Sequence, residues 1–352
     1  MSRFLNSSLA RLVPYTPGEQ PKDTKYIKLN TNESPFAPSP LSEKLASEAA
    51  ANLQLYSDPE CRDLREVAAE YFGIEPDEIV FTNGSDEVLN FAFMCYGENG
   101  VVFPDITYGF YSVFAELYGL DYREIPLKED FTVDVNDYIG VNKTIFLANP
   151  NAPTGIALPL SEIEKIVKSN PDSIVVIDEA YIDFGGVSAL PLIKKYDNIL
   201  VTGTFSKSRS LAGGRLGFGI GSKNLIADLN TVRFSTNPYN VNRMTAAAGI
   251  GAFKDDKYTK DNCQKIIENR DWTRKELEKL GFSSLPSSAN FLFAKHEKLS
   301  GKEIYLSLKA KGVLVRYFDK EGLKEYNRIT IGSKEEMEIF INKLTEVLKE
   351  LL

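Results

Sequence analysis

The sequence predicts a two-part α/β chain: a large unit on a mostly parallel, doubly wound sheet, then a smaller α+β unit. Three observations carry this. Short apolar runs of strand length recur between residues 79 and 221, separated by segments long enough for a crossover helix. Each run ends in a polar motif, and the carboxyl ends of the strands are where an open α/β sheet places its ligand cleft. After Asn240 the pattern changes to long helices alternating with a few strands. The expected division is an N-terminal arm over 1–30 that joins the small unit, a large unit over 31–245 and a small unit over 246–352.

Composition narrows the function. With 43% hydrophobic residues the chain can bury a sizeable core, and its net charge of −8 argues against a nucleic-acid partner. No apolar segment reaches membrane-spanning length, and the first ten residues lack the apolar core of a secretory signal. Cys61, Cys95 and Cys263 are odd in number and far apart, which suits reduced thiols and a cytoplasmic protein. His296 is the only histidine, in a charged segment expected to be a solvated loop. Histidine-based triads and multi-imidazole zinc sites are therefore poorly supported, and no metal is expected. A lysine or a carboxylate must move the protons.

In chain order, Leu12–Gly18 is an extended, proline-stiffened arm carrying Tyr15, and Leu29–Pro40 is irregular. Asn32 there is either a turn residue bonding its own backbone or an amide reaching into a pocket. An alanine-rich helix over Ser42–Asn52 leads to a turn carrying Tyr56, then to an amphipathic helix near Arg62–Phe72 that Gly73 ends. A strand over Ile79–Thr82 runs into Asn83-Gly84-Ser85-Asp86-Glu87 and a helix over Val88–Cys95, with Ser85 as its N-cap. A helix start after a strand and a glycine is an anion site by geometry. Asp86 and Glu87 could equally be there to complement the helix dipole, and a bound phosphate would require both carboxylates turned aside.

Gly100–Phe103 is the next strand, followed by Tyr108, which either stacks on a flat ring or packs in the core. Thr144–Ala148 follows, ending in a proline-rich loop that presents Asn151. Ser173–Ile177 ends in Asp178-Glu-Ala-Tyr181. Asn198–Val201 leads into Thr204, Ser206, Lys207 and, past Gly213-Gly214, Arg215. Leu216–Gly221 reads as a glycine-rich strand, an edge or a close-packing site.

The chemistry follows from these residue types. Two hydroxyls and an arginine suit a phosphate. A lysine held among cations and out of bulk water has a lowered pKa and can act as a nucleophile. An acid at a strand's carboxyl end can hold a pyridine nitrogen protonated, which makes the ring an electron sink, and Tyr181 could donate to a ring hydroxyl. Together these are the equipment for holding pyridoxal phosphate; taken alone, the lysine stretch could also be a solvated Ser/Gly-rich loop.

In the C-terminal part, helices are expected over Arg243–Phe253, Asp261–Leu280, Ile304–Lys311 and Glu335–Leu351, with strands at Asn290–Ala294, Gly312–Phe318 and Asn327–Gly332. Arg316 and Arg328 lie in or beside apolar strand runs. They are either surface residues or a pair facing a cleft, where they would suit an anionic substrate. The sequence contains no internal repeat, no Walker-type loop and no dinucleotide fingerprint.

Nearly end to end, these motifs resemble the fold-type I pyridoxal-phosphate aminotransferases, and within them the histidinol-phosphate aminotransferase family. The resemblance rests on Pro14-Tyr15-Thr-Pro-Gly18, Leu29-Asn-Thr-Asn32-Glu-Ser-Pro35, Thr82-Asn-Gly-Ser-Asp-Glu87, Thr107-Tyr108-Gly-Phe-Tyr111, Asn149-Pro-Asn151-Ala-Pro-Thr-Gly155, Asp178-Glu-Ala-Tyr181, Thr204-Phe-Ser-Lys207 and Arg328-Ile-Thr-Ile-Gly332. It implies that Lys207 is the amine joined to the cofactor and the proton shuttle. Asp178 would pair with the pyridine nitrogen, Asn151 and Tyr181 with the ring oxygen, and Tyr108 would stack on the ring. Ser85 and Asp86 amides, Thr204, Ser206 and Arg215 would hold the phosphate, joined by Tyr56 from the neighbouring subunit of a homodimer. Tyr15, Asn32, Arg316 and Arg328 would meet the substrates, L-histidinol phosphate and glutamate or 2-oxoglutarate. Aromatic aminotransferases and threonine-phosphate decarboxylase, a lyase, share the scaffold. Arg209 and the Gly213-Gly214 bend depart from the family pattern, which bears on substrate preference and not on the cofactor.

Overall fold

The computed structural model describes residues 2–7, 9–10, 12–21 and 26–352. Residues 1, 8, 11 and 22–25 of the expected arm lie outside the described residues. The strands are β1 (Ile27–Leu29), β2 (Ile79–Thr82), β3 (Val101–Pro104), β4 (Tyr122–Ile125), β5 (Thr144–Ala148), β6 (Val175–Asp178), β7 (Ile199–Thr204), β8 (Gly217–Ile220), β9 (Phe282–Ser284), β10 (Phe291–His296), β11 (Val313–Tyr317) and β12 (Tyr326–Thr330). The helices are α1 (Pro40–Ala50), α2 (Arg62–Phe72), α3 (Ser85–Tyr96), α4 (Phe110–Tyr118), α5 (Leu160–Ser169), α6 (Lys223–Thr236), α7 (Arg243–Lys254), α8 (Asp256–Lys279), α9 (Gly301–Ala310) and α10 (Lys334–Leu351). Among the described residues no helix is long and apolar enough to cross a membrane.

Seven strands form one sheet in the order β2-β8-β7-β6-β5-β3-β4, parallel except for β8, which runs antiparallel to both neighbours. Side chains alternate faces along a strand. Ile145, Leu147, Val175 and Ile177 accordingly join one core with α2, α5 and α7, while Phe146, Val176 and Leu200 join another with α3, α4 and α6. Strands covered on both faces must be apolar at every position, and this is why they stand out in the sequence. The remaining five strands form a sheet in the order β1-β11-β12-β10-β9. One face of it buries Leu29, Leu292, Val313, Val315 and Ile329 under α8, α9 and α10. Through β1, which pairs in parallel with β11, the end of the arm enters this second sheet.

Several expectations need correction. The strand Gly217–Ile220 is no edge; it lies between β2 and β7, and close packing is its character. A Cβ on Gly217 would lie 2.7 Å from Ser85 Cα and nearer still to the Gly84–Ser85 peptide. The glycine is what lets the start of α3 rest directly on the sheet. Ser85 is not a cap but the first residue of α3; Gly84, at φ 79, is the N-cap, and no side chain caps this end. The helix therefore opens with unsatisfied amides. His296 is no solvated loop residue. It ends β10, is buried, packs against Phe282, and its Nδ1 accepts from the amides of Lys298 and Leu299.

Candidate active site

The carboxyl ends of β6 and β7 and the start of α3 converge on a cavity of about 360 Å³. It opens into an outer cavity of about 920 Å³, and Asp86, Tyr108, Tyr181, Lys207 and Arg215 border both.

At one end the sheet delivers the hydroxyls. Thr204 Oγ1 bonds Ser206 Oγ at 3.0 Å and accepts the Ser206 amide at 3.1 Å, a local turn that aims both hydroxyls into the cavity. Arg215 reaches back to Ser206 Oγ at 3.4 Å. Its backbone sits at φ 54, a left-handed conformation that few non-glycine residues adopt. Gly84 makes room for that guanidinium, because a Cβ there would stand 2.5 Å from Arg215 Nη2. Ser85 also lines the cavity.

The two acids of the α3 start behave differently. Glu87 is turned aside, accepting from the Asn83 amide and Asn240 Nδ2. Asp86 is not: its carboxylate accepts from Tyr108 Oη at 2.6 Å and Arg215 Nη2 at 3.3 Å. The expectation that both carboxylates leave the cradle holds only for Glu87. Burial, followed by the charge on Asp86, raises the Tyr108 phenol well above its ordinary range, so it remains a donor.

Lys207 Nζ donates to the Thr31 carbonyl at 3.2 Å and stands 5.7 Å from the Tyr181 ring centre. Ser208, next in the chain, donates to Asp183 Oδ2, tying the lysine loop to the turn after Tyr181. Asp178, fully buried at the end of β6, is pushed up to about 6, first by burial; Tyr111 Oη, donating at 3.1 Å, works against that rise. Beside it Glu179 is raised to about 8, again by burial, though Ser188 and the Ala189 amide donate to it. Tyr181 Oη accepts from Asn32 Nδ2 at 2.9 Å, which leaves its own proton free.

Asn32 takes the left-handed conformation at φ 57 without bonding its own backbone. Its Oδ1 accepts from Thr330 Oγ1 and its carbonyl from Asn290, so it joins the two sheets. Asn151 does not border the inner cavity. Its amide donates to the Ile106 carbonyl and Thr154 Oγ1 and accepts from Thr107, and it lines an adjoining cavity.

Arg316 and Arg328 are Cα partners across β11 and β12, on the face opposite the small-unit core, and both border the outer cavity. Arg316 donates to the carbonyls of Thr16 and Pro17, fastening the arm. Arg328 Nη2 donates to the Asn30 carbonyl, while its Nε is buried with no protein partner. Tyr15 packs on Phe110 at 4.5 Å and borders the same space. Tyr56 lies outside both cavities, 79% exposed and stacked on Tyr239. Arg209 also turns away, with its guanidinium over Phe253 and Tyr71 and bonded to the Ala252 carbonyl. Its departure from the family pattern touches the scaffold and not the substrate space. Tyr111, Thr202 and the Thr31 carbonyl are contacts the sequence reading did not assign. For Tyr111 the signal was its place three residues after Tyr108 in the same helix-entering turn.

A doubly wound sheet that sets an amine at the end of one strand and a buried acid at the end of its neighbour, beside an anion cradle, has the equipment of a pyridoxal-phosphate enzyme. The family description "Aminotransferase class I and II" matches residues 24–344. The chain is 50% identical to the histidinol-phosphate aminotransferase of Brachyspira hyodysenteriae over 99% of its length and 100% of that protein's. It is 46% identical to the one from Clostridium botulinum, strain Kyoto, with both chains wholly covered. Among solved structures, histidinol-phosphate aminotransferase from Sinorhizobium meliloti in complex with pyridoxal-5'-phosphate matches with a TM-score of 0.86 at 26% identity, covering 94% of this chain and 92% of that one. The chain belongs to the class I and II aminotransferases, and within them to the histidinol-phosphate aminotransferase family.

Proposed function

We propose that this protein uses pyridoxal 5'-phosphate to transfer the amino group of L-histidinol phosphate to 2-oxoglutarate, giving 3-(imidazol-4-yl)-2-oxopropyl phosphate and glutamate in histidine biosynthesis. The observation that carries the reading is the arginine pair at 316 and 328, in register on adjacent strands beside the lysine's cavity. Like charges directly opposite one another repel, so an anion between them is stabilising. Each half-reaction brings one: a phosphate monoester, then a dicarboxylate.

The residues fit the cofactor. The uncapped start of α3, Thr204, Ser206 and Arg215 are donors suited to its phosphate, and a Cβ at Gly84 would take the space that the Arg215 guanidinium occupies in that cradle. Asp178 suits its ring nitrogen, Tyr108 its ring face, and Tyr181, with a free proton, its ring oxygen. Asn151 serves that oxygen as a donor only by giving up one of its bonds, to the Ile106 carbonyl or to Thr154 Oγ1. Once bound, the group supplies an electron sink for the substrate carbon that carries nitrogen. Lys207 Nζ takes the proton from that carbon, from a position set by the Thr31 carbonyl. Arg328 and Arg316 orient the anionic end, with Tyr15 and Asn32 bordering the rest of the substrate.

The protein acts as a homodimer. Leu53, Leu55, Tyr56 and Tyr239 leave an exposed apolar edge that a second copy covers, delivering Tyr56 to that copy's phosphate cradle. It works in the cytoplasm, in keeping with its free thiols. We read the chain as an arm, a large unit and a small unit, with one boundary moved from residue 245. Because α7 spans residue 245 and packs into the large-unit core, the boundary belongs at its end, near Asp255.

The test is a set of half-reactions on the coloured holoenzyme. Histidinol phosphate alone should bleach the cofactor's visible band, and 2-oxoglutarate should restore it. Faster bleaching by phenylalanine or tyrosine would make it an aromatic aminotransferase, and carbon dioxide release from threonine phosphate would make it a lyase.

A further inference from the structure

Asp178 is held from two sides. Tyr111 donates to Oδ2 at 3.1 Å, and Thr202, its Cα partner on β7, donates to Oδ1 at 3.4 Å. The Tyr111 side chain is fully buried, with its ring 5.8 Å from Phe103, 5.7 Å from Phe146 and edge-on to Tyr108 at 5.7 Å. A phenylalanine would fill that space equally well. The hydroxyl has Asp178 as its bonded partner and no route to solvent, so its purpose lies at that carboxylate.

We propose that Tyr111 is a positioning residue for the reaction: its hydroxyl, bonded to Asp178 Oδ2, keeps that carboxylate ionised and aimed, so that the cofactor's ring nitrogen keeps its proton. This rests on the cofactor reading above. A single proton between the ring nitrogen and Asp178 can sit on either atom, and only when it sits on nitrogen is the ring a full electron sink. A hydrogen bond donated to a carboxylate favours its charged form, while burial disfavours it.

The balance here is close, because burial already lifts Asp178 to about 6. Other ionisable groups face it or border the same cavity, Glu33, Tyr181 and Arg215 among them. Asp86 from α3 pushes it up further, and Glu179 beside it adds a second carboxyl group that burial keeps mostly neutral near neutral pH. Tyr108 and Tyr111 are both held neutral by burial, and Lys207 borders the same cavity. With no cation bonded to Asp178 before the cofactor enters, the tyrosine and threonine hydroxyls and the Ala180 amide are what hold its charge. Losing a bond to a charged acceptor moves the equilibrium by about tenfold, roughly one pH unit, toward the protonated carboxyl.

The experiment uses holoenzyme reconstituted with cofactor isotopically labelled at the ring nitrogen and read by nitrogen NMR at neutral pH. In the wild type the signal should be that of a protonated nitrogen. In Tyr111→Phe it should move toward the unprotonated position, with kcat for histidinol phosphate down about tenfold and KM within about twofold of wild type. Thr202→Val, which removes the longer bond, should move the signal the same way by less, and it carries the test if Tyr111→Phe does not fold. An unmoved nitrogen signal in these variants overturns the proposal, whatever happens to the rate. A wild type that takes up no labelled cofactor overturns the cofactor reading instead.

Discussion

Replacing Gly217 by alanine tests how the phosphate cradle is built. The new Cβ would meet backbone, not a side chain that can swing away: Ser85 Cα lies at 2.7 Å and the Gly84–Ser85 peptide is closer. Relief requires α3 to lift off β8. Overpacking a well-filled core costs about 1–3 kcal/mol, and contact with backbone puts this case at the upper end, ~3 kcal/mol. For a chain of this length that is a fall in melting temperature of roughly 5 °C. The helix start carries the amides proposed to hold the phosphate, and each bond to a charged oxygen contributes about 1.5–3 kcal/mol. Displacement by a few tenths of an ångström should therefore weaken cofactor binding about 10–100-fold, read by titrating the apoprotein with pyridoxal phosphate. Gly213→Ala is the control for stability: a Cβ there meets no atom of the chain within 4 Å, so the melting temperature should stay at its wild-type value. If Gly217→Ala melts lower yet binds cofactor normally, the start of α3 is not part of the cradle. If neither changes, α3 does not rest on β8 as described.

Other outcomes can be stated as directly. Arg328→Gln should raise KM for histidinol phosphate and for glutamate together, by about 10–100-fold, because both anions lose the same charge-assisted bond; a selective loss would mean two separate anion sites. Glu179 is raised from 4.5 to about 8, so between those pH values the folded chain holds a proton that the unfolded chain has released. Stability falls as pH rises through that window, and Glu179→Gln should flatten the fall and match or exceed wild type near pH 8 in thermal melts. Lys207→Ala and Tyr56→Ala should each be nearly inactive as homodimers. Mixing them should restore part of the activity, since one site of each mixed dimer then has both residues; no restoration would place Tyr56 with its own chain's lysine or outside the site.

What could be read from sequence depended on how strongly burial constrained it. β5, β6 and β7 are covered on both faces, so their apolar runs left little choice, and Asp178 and Lys207 followed from where those runs ended. β4 escaped notice because it is an edge strand, Tyr-Arg-Glu-Ile, whose middle charges are exposed and guard an open edge. Its pattern carries no apolar run to find. The character of β8 was open because glycine suits an edge and a close approach alike, and only α3 lying on it decides between them. His296 was misjudged because its charged neighbours hid a strand end at which the ring caps two amides. The two readings of Asn32 cannot be separated from sequence, because the partners of its side chain, Tyr181 and Thr330, are distant along the chain; its amide in fact bonds Tyr181 at the border of the outer cavity.

The same distinction explains why the site sits where it does. The large sheet supplies what a buried strand end can hold rigidly: an acid, an amine and two hydroxyls, each fixed by the strand that precedes it. The small sheet supplies what must meet a charged substrate, two arginines on its uncovered face. Between them run Asn32 and the arm. Asn32 bonds Tyr181 on one side and Thr330 on the other, and Arg316 holds the arm by the carbonyls of Thr16 and Pro17. Any shift of the small sheet that reaches Arg328 therefore also pulls on the tyrosine beside Lys207 through a single asparagine in a left-handed conformation. That backbone strain has a reason to persist, because a residue with ordinary dihedrals would not present its amide and carbonyl to both sheets at once.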